Sequence, residues 1–418
     1  MNLIKLSWKN LIHRPLSLSL SVILFALGVG LITMLFLIQD QLQKNFEKNL
    51  AGVDLVIGAK GSPLQLILSS MYHIDAPTGN MSIGELKPFL NPRHPLIASR
   101  LPLCLGDSYK GFRVVGTTPS ILEWYDASIA TGEVWSKHYQ VTLGHDVASQ
   151  LDLQIGDQFR SSHGFADDEG LEHEDALSFE VVGILSPTGS VIDQLILTTV
   201  QTFWMIHGHE NPEGDANAHD NSGHAMEPKS LLEEGDEEEI TSLLIRFKGR
   251  NFQALNMQRS INENTDLQAA TPAIEINRLF SMMDSGEQAL RLLAMIIIIV
   301  SGISIFISLY SSLNERKYEL ALMRVMGAGP KTLFYLILVE GLLVATIGFV
   351  IGFVISHTGM EIIGQVMKES YRYNFTGLNF LHEEWFLLIG SLLIGALAGL
   401  FPALQAAKTD ISKTISKA

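Results

Sequence analysis

The sequence predicts an α-helical membrane bundle of four transmembrane helices, with a large α/β plus β-rich extracytoplasmic domain inserted between helices 1 and 2. Three observations predict it. Four segments, 15–38, 290–313, 333–357 and 385–405, are long and apolar enough to cross a hydrocarbon core, which takes about 20 residues. The interval 39–289 contains no such segment, is polar and acidic, and is long enough to bury a core of its own. Cations collect beside the apolar segments: Lys5, Lys9 and Arg14, then Arg316, Lys317, Arg324 and Lys331, then Lys408, Lys413 and Lys417. Short loops rich in Lys and Arg stay in the cytoplasm. Both termini are therefore expected inside and the 39–289 domain outside.

Taken in order, residues 1–14 read as a cytoplasmic amphipathic helix. Leu3, Ile4, Leu6, Trp8, Leu11 and Ile12 are apolar, and Lys5 and Lys9 face lipid headgroups. The first span is too long for a cleaved signal sequence, and Leu37-Ile38-Gln39-Asp40 lacks a small-residue cleavage site. It is expected to continue as helix to about 46, before a strand at 54–57, a turn and a helix over 64–71. Residues 96–105 and 111–117 alternate like paired strands. Near 119 the composition shifts. A membrane-proximal α/β part (39–118 and 240–289) with an inserted β-rich part (119–239) is the economical reading. Within the insert, 141–151 runs from strand to helix and 155–159 from turn to strand, with Gly156 supplying positive φ. Strands follow at 178–185 and 195–199, a helix at 199–206, and strand character again at 239–247. A strand ending at 273 and a helix from 274 lead back to the second span. A cytoplasmic segment (314–332), an outer loop (358–384) and a cytoplasmic tail (406–418) complete the layout.

Charge and cysteine usage exclude several classes. The net charge of −15 disfavours nucleic acid as a partner. Between 163 and 240 nineteen Asp or Glu stand against one cation, Lys229, so the acid is concentrated in the outer domain. A single cysteine, Cys104, rules out an intrachain disulfide framework and reads as a buried strand thiol. The spans hold no paired Asp and no His-Glu-x-x-His, so no enzyme activity and no catalytic residue are expected in this chain.

The segment 314–332 carries the densest chemistry. Read as one helix, it places Glu315 and Glu319 four apart on one face with Arg316 within reach of Glu319. Leu320, Met323 and Val325 form its apolar side, and Gly327 and Gly329 end it before Pro330. The plain alternative is a charged hairpin that only joins two spans. At 1.5 Å per residue Glu340 lies about 10 Å beyond Leu333, at the hydrocarbon boundary. It is expected to pair with Arg316 or Arg324, or to cap a neighbouring helix. A snorkelling structural carboxylate is the equal alternative. Gly348-x-x-x-Gly352 and Gly395-x-x-x-Gly399 let helices approach closely, although glycine is also simply frequent in membrane helices.

The pattern Glu-Arg-x-x-Glu-x-Ala-x-x-Arg-x-x-Gly-Ala, followed by an apolar helix bearing Glu-Gly, resembles the core signature of the FtsX/MacB-like permeases, the mechanotransmission class of ABC transporters. It falls on Glu315, Arg316, Glu319, Ala321, Arg324, Gly327, Ala328, Glu340 and Gly341. The stretches from Leu143 to Asp157, Phe179 to Ile184 and Pro402 to Ala406 also resemble that family, as does the layout of one span plus three. The resemblance implies a bacterial inner-membrane permease subunit. It would dimerise with a second copy or a paralogue and couple to a cytoplasmic ABC ATPase. ATP would be bound on that partner, because Gly327–Thr332 lacks phosphate-loop spacing. Movement of the periplasmic domain would then export, extract or release a substrate outside the membrane. A non-transporting regulator that activates a cell-wall hydrolase or another periplasmic partner is the alternative.

One stretch lies outside that pattern. His207, His209, His219 and His224 fall within eighteen residues among Glu210, Asp220 and other acids in a Gly/Asn/Pro-rich loop. Imidazole with carboxylate suits Zn2+ or another borderline ion. The irregular spacing implies a weak, exchangeable site, and the plain alternative is a solvated acidic loop.

Overall fold

The computed structural model describes residues 3–13, 15–163, 178–207, 231–249, 252–370 and 375–408. The chain opens with α1 (Leu3–Ile12) and α2 (Pro15–Asn49). Then come β1 (Leu55–Ala59), α3 (Pro63–Met71), β2 (Met81–Ser82), α4 (Ile83–Leu90), β3 (Ile97–Tyr109) and β4 (Phe112–Gly116). Next are α5 (Ile121–Trp124), β5 (Ile129–Gly132), β6 (Gln140–Leu143), α6 (His145–Leu151), β7 (Gln158–Phe159) and β8 (Ser162–His163). β9 (Phe179–Leu185), β10 (Leu195–Thr198), α7 (Val200–His207), β11 (Glu239–Ile240), β12 (Ser242–Phe247), α8 (Phe252–Asn264) and β13 (Leu267–Ala270) follow. Four helices close the chain: α9 (Pro272–Glu315), α10 (Lys317–Val325), α11 (Pro330–Ser370) and α12 (Glu383–Ala407). Two compact units result, Met1–Gln43 with Met282–Ala418, and Lys44–Ser281.

The fold class is the one the sequence predicts. α2, α9, α11 and α12 are long and apolar enough to cross a membrane, and the intervening unit is α/β with a mixed sheet. A helix satisfies its own backbone groups, which is what lets such apolar runs persist without water. Each helix extends past the apolar segment read from sequence. α2 runs on to Asn49, and α11 continues as helix through Ser370.

In the helical unit, Phe25, Val29, Ile305, Leu309, Val344, Ala345, Phe349 and Ala398 form a buried core shared by α2, α9, α11 and α12. Glycines set the closest approaches. A Cβ on Gly352 would lie 2.5 Å from the carbonyl oxygen of Ala26, and Gly30 faces it on α2. Gly341 and Gly395 oppose each other across α11 and α12, where a Cβ on Gly341 would sit 2.7 Å from the Gly395 carbonyl. Gly348 abuts the Phe25 ring, whereas Gly399 has only ordinary contacts.

In the 44–281 unit, eleven strands among the described residues form one sheet in the order β13-β1-β12-β3-β4-β10-β6-β9-β5, with β7 on β9 and β8 on β3. β10 runs parallel to β4, and β6 parallel to β9. The other pairs are antiparallel. Burial follows pattern. β4 and β10 are buried at every position, as strands covered on both faces are. β9 alternates buried and half-buried residues, the signature of a strand with one face in the core. β3 links the two halves of the sheet: its first part pairs with β12 and its second with β4. Cys104 lies there, buried, and burial pushes its thiol up to about 12. Gly156 has φ +93, as its turn requires.

Candidate functional site

The 314–332 segment folds differently from the single helix expected. α9 ends at Glu315, Arg316 leaves helical geometry at φ −99 and ψ 14, and α10 starts at Lys317. Glu315 and Glu319 therefore belong to different helices. Glu315 accepts from Ser311 Oγ at 3.2 Å on its own helix. α10 buries Leu320 and Ala321, while Val325, expected on the apolar side, is exposed. Leu320 packs with Leu313, Leu333, Leu336, Ile337, Ala403 and Ala406, and Leu3 and Leu6 of α1 pack against the same cluster. Arg324 occupies the last turn of α10, where a cation suits the helix dipole. Gly327 ends the helix at φ +100, Ala328 N–H donates to Met323 O at 3.0 Å, and Pro330 opens α11.

The break at Arg316 positions its guanidinium between two helices. Nε donates to Glu319 Oε2 at 3.1 Å, and Nη1 donates to Glu340 Oε1 at 3.3 Å. Glu340, in α11, is 1% exposed, Arg316 14% and Glu319 66%. Of the partners expected for Glu340, Arg316 is the one found. A third group, missed in the sequence, completes the set: Asn10 Nδ2 donates to the same Glu340 oxygen at 2.8 Å. One turn earlier on α1, Ser7 is buried and its hydroxyl donates to Leu336 O at 3.2 Å. The available signal was two polar residues, Ser7 and Asn10, spaced three apart on one face of an otherwise apolar and basic helix.

Chemically, this is a buried carboxylate held by two donors, one from α1 and one from the α9–α10 junction. A charge removed from water is costly unless paired and hydrogen-bonded, so Glu340 ties α1 and the α9–α10 junction to α11. The planar fork of arginine bridges the exposed Glu319 on α10 and the buried Glu340 at once. A displacement of α10 must stretch one of these bonds. Gly348 and Gly352 lie farther along α11, Gly395 and Gly399 face Gly341 and Ile337–Leu338 from α12, and none of the four supplies a polar group to this cluster. His207 ends α7, while its side chain and the whole of His209, His219 and His224 lie outside the described residues. Among the described residues no three potential ligands gather into a metal site.

Two family profiles match the chain. The MacB-like periplasmic core domain covers residues 18–226 and the FtsX-like permease C-terminal region covers residues 291–411. A macrolide export ATP-binding/permease protein MacB from Psychrobacter cryohalolentis is 28% identical over 139 residues, 32% of this chain and 20% of that protein. The counterpart from Psychrobacter arcticus is 27% identical over the same shares. The chain thus aligns with about a fifth of these relatives' length. Among solved structures, the periplasmic region of MacB from Actinobacillus actinomycetemcomitans is 10% identical at a TM-score of 0.33, covering 56% of this chain and 97% of that one. The extracellular domain of the noncanonic ABC-type transporter YknZ is 10% identical at a TM-score of 0.28, covering 52% of this chain and 99% of that one.

Proposed function

The chain belongs to the FtsX/MacB-like permease family of ABC transporters, and we propose that it is the subunit that couples ATP hydrolysis by a separate ATPase to movement of its outer domain. It is a membrane protein with a large extracytoplasmic domain. In this reading the termini and α10 face the cytoplasm of an inner membrane, and two permease chains, identical or paralogous, work as a dimer. Closure of the ATPases displaces α10. The Arg316–Glu340 bond passes the displacement to α11, Asn10 recruits α1, and the uninterrupted α2 and α9 carry the motion outward. The movement exports, extracts or releases a substrate outside the membrane. A link to zinc handling rests on the composition of the His207–His224 loop. Calorimetry on the full chain tests that link, and absence of zinc-dependent heat at millimolar metal reduces the loop to solvated linker.

The observation that carries the coupling reading is the buried Glu340, bonded at one oxygen by donors from α1 and from the α9–α10 junction. Reconstitution with the cognate ABC ATPase in proteoliposomes tests it. Arg316→Ala and Glu340→Gln are each expected to insert normally and to lower permease-stimulated ATPase activity at least tenfold, a coupling loss of about 1.4 kcal/mol. Glu319→Ala and Arg324→Ala are expected to uncouple while leaving the fold intact, since an exposed ion pair contributes about 1 kcal/mol or less to stability. Full stimulation in Arg316→Ala and Glu340→Gln at normal expression defeats the reading.

A further inference from the structure

A second polar cluster lies on α11 seventeen residues beyond Glu340, about 25 Å farther along the helix. His357, 11% exposed, points one ring nitrogen at each of two acceptors. Nδ1 faces the carbonyl oxygen of Gly377, and Nε2 lies 3.1 Å from Oε1 of Glu384, itself 7% exposed, on α12. The rings of Phe353 and Phe380 flank the imidazole at 4.1 and 5.3 Å. Around it, the segment 375–378 is held by two further side chains. Gln41 of α2 makes a two-point clamp on Thr376, accepting from its N–H and donating to its carbonyl, both at 2.8 Å. Glu361 Oε2 accepts from Thr376 Oγ1 at 3.0 Å and from Gly377 N at 2.8 Å. Gly377 is wedged so tightly that a Cβ would meet the His357 carbonyl oxygen at 2.0 Å.

The hydrogen-bond arithmetic of this ring has only two solutions. A carbonyl accepts and never donates, so Nδ1 must carry a proton. Nε2 then bonds a carboxyl oxygen either as the N–H of an imidazolium facing a carboxylate, or as a lone pair facing a protonated Glu384. Both forms contain one proton between Nε2 and Oε1. Without it, a lone pair and an anionic oxygen would face each other at 3.1 Å in a site shielded from water.

We propose that His357 and Glu384 form a binding site for a single proton, and that this proton latches the 375–378 segment to α11, α12 and α2. Loss of the proton to solvent as pH rises turns the Nε2–Oε1 contact repulsive. The ring then swings away from Gly377, and the clamp on Thr376 and Gly377 loosens. Of the titratable groups on the elements packed against the ring, Glu384 of α12 bonds the imidazole and Glu361 of α11 bonds the segment beside it, while His382 and Glu383 precede Glu384 and Asp40 precedes Gln41 in the chain. Residues 375–381 bring no charge, and α2 meets the segment through the neutral Gln41. Under the orientation proposed above, the latch answers to pH outside the membrane. The chemistry of the pair does not depend on that orientation.

Hydrogen exchange of the 375–381 amides, measured on the full chain in nanodiscs from pH 5 to 9 and normalised to intrinsic rates, is the test. No ATPase or nucleotide is present, so the result is independent of the coupling reading. Wild type is expected to lose at least tenfold of its protection as pH rises. Glu384→Gln should abolish that dependence, because the amide N–H can donate to the lone pair of a neutral imidazole at every pH. Glu361→Gln keeps an oxygen acceptor for Thr376 and Gly377 and should retain the wild-type response. A flat wild-type profile overturns the proposal, as does an unchanged pH response in Glu384→Gln or its loss in Glu361→Gln.

Discussion

His73 makes the 44–281 unit sensitive to acid by an amount that can be worked out. It sits in the turn after α3 at φ +53, buried, with Nδ1 lacking a hydrogen-bond partner among the described residues. Burial, and next the positive charge of Arg113, lower its pKa from 6.5 to about 3. The folded unit therefore keeps His73 neutral down to about pH 3, while the unfolded chain protonates it below 6.5. Between those values the unfolded state binds the extra proton, so stability falls as pH falls through this window and is constant above it. At about 1.36 kcal/mol per pH unit, the full gap corresponds to about 5 kcal/mol. At pH 4.5 about 2.7 kcal/mol of that is already lost. His73→Asn removes the titration and keeps a residue type that tolerates positive φ. Hydrogen exchange at the core amides of β1 and β12, measured on the full chain, reports the stability of this unit. The wild-type advantage or deficit relative to His73→Asn at pH 7.5 should shift by about 2.7 kcal/mol against wild type at pH 4.5. Parallel profiles for the two proteins across that range refute the reasoning.

The remaining predictions rest on separate features. Cys104, with its thiol pushed up to about 12 by burial, should react negligibly with N-ethylmaleimide at pH 8 and stoichiometrically once denatured, as mass spectrometry can read directly. Gly352→Val places side-chain atoms where even a Cβ would lie 2.5 Å from the Ala26 carbonyl. It should destabilise the helical unit by about 1–3 kcal/mol or more, seen as a lower Tm in detergent, whereas Gly399→Ala should be nearly neutral. Cysteines introduced in the 211–223 stretch should label with an impermeant reagent in intact spheroplasts while cysteines near Lys331 should not; the reverse pattern overturns the proposed orientation.

Much of the fold could be read from short-range pattern because that pattern is what burial enforces. β9 alternates because one face meets the core, and β4 and β10, apolar but for Arg113 and Thr198, are buried throughout because both faces are covered. Among the features that escaped, α4 and the α9–α10 break did so for physical reasons of different kinds. α4 contains Gly84 and Pro88, poor interior helix residues, so its apolar positions carry little weight. Its start was nonetheless signalled by Ser82-Ile-Gly-Glu85, where the Ser82 hydroxyl accepts from the Glu85 N–H at 3.3 Å. The break between α9 and α10 had no such local mark, since 314–318 contains neither Gly nor Pro. It coincides with Arg316 reaching Glu340, a partner twenty-four residues away. A contact of that kind overrides helix propensity and leaves no trace in a local window.

The candidate site divides along the same line. An acidic residue inside an apolar helix announces a need, because a buried carboxylate without donors is too costly to keep. Glu340 was therefore legible as a residue that must be paired, and Arg316 as an eligible donor from an adjoining segment. The second donor was not legible. Asn10 is separated from Glu340 by 330 residues of sequence, and a neutral amide on a surface-seeking helix carries no charge to match. Its selection depends on α1 docking by Leu3, Leu6 and Ser7 against α11, which only the assembled helices reveal. That dependence also orders the energetics. Removing Asn10 leaves Glu340 still bonded to the partly exposed guanidinium, whereas removing Arg316 leaves a buried charge with one neutral donor. The second loss is the larger, because a buried anion stripped of its cation forfeits about 3–5 kcal/mol, against about 1 kcal/mol net for a single neutral hydrogen bond.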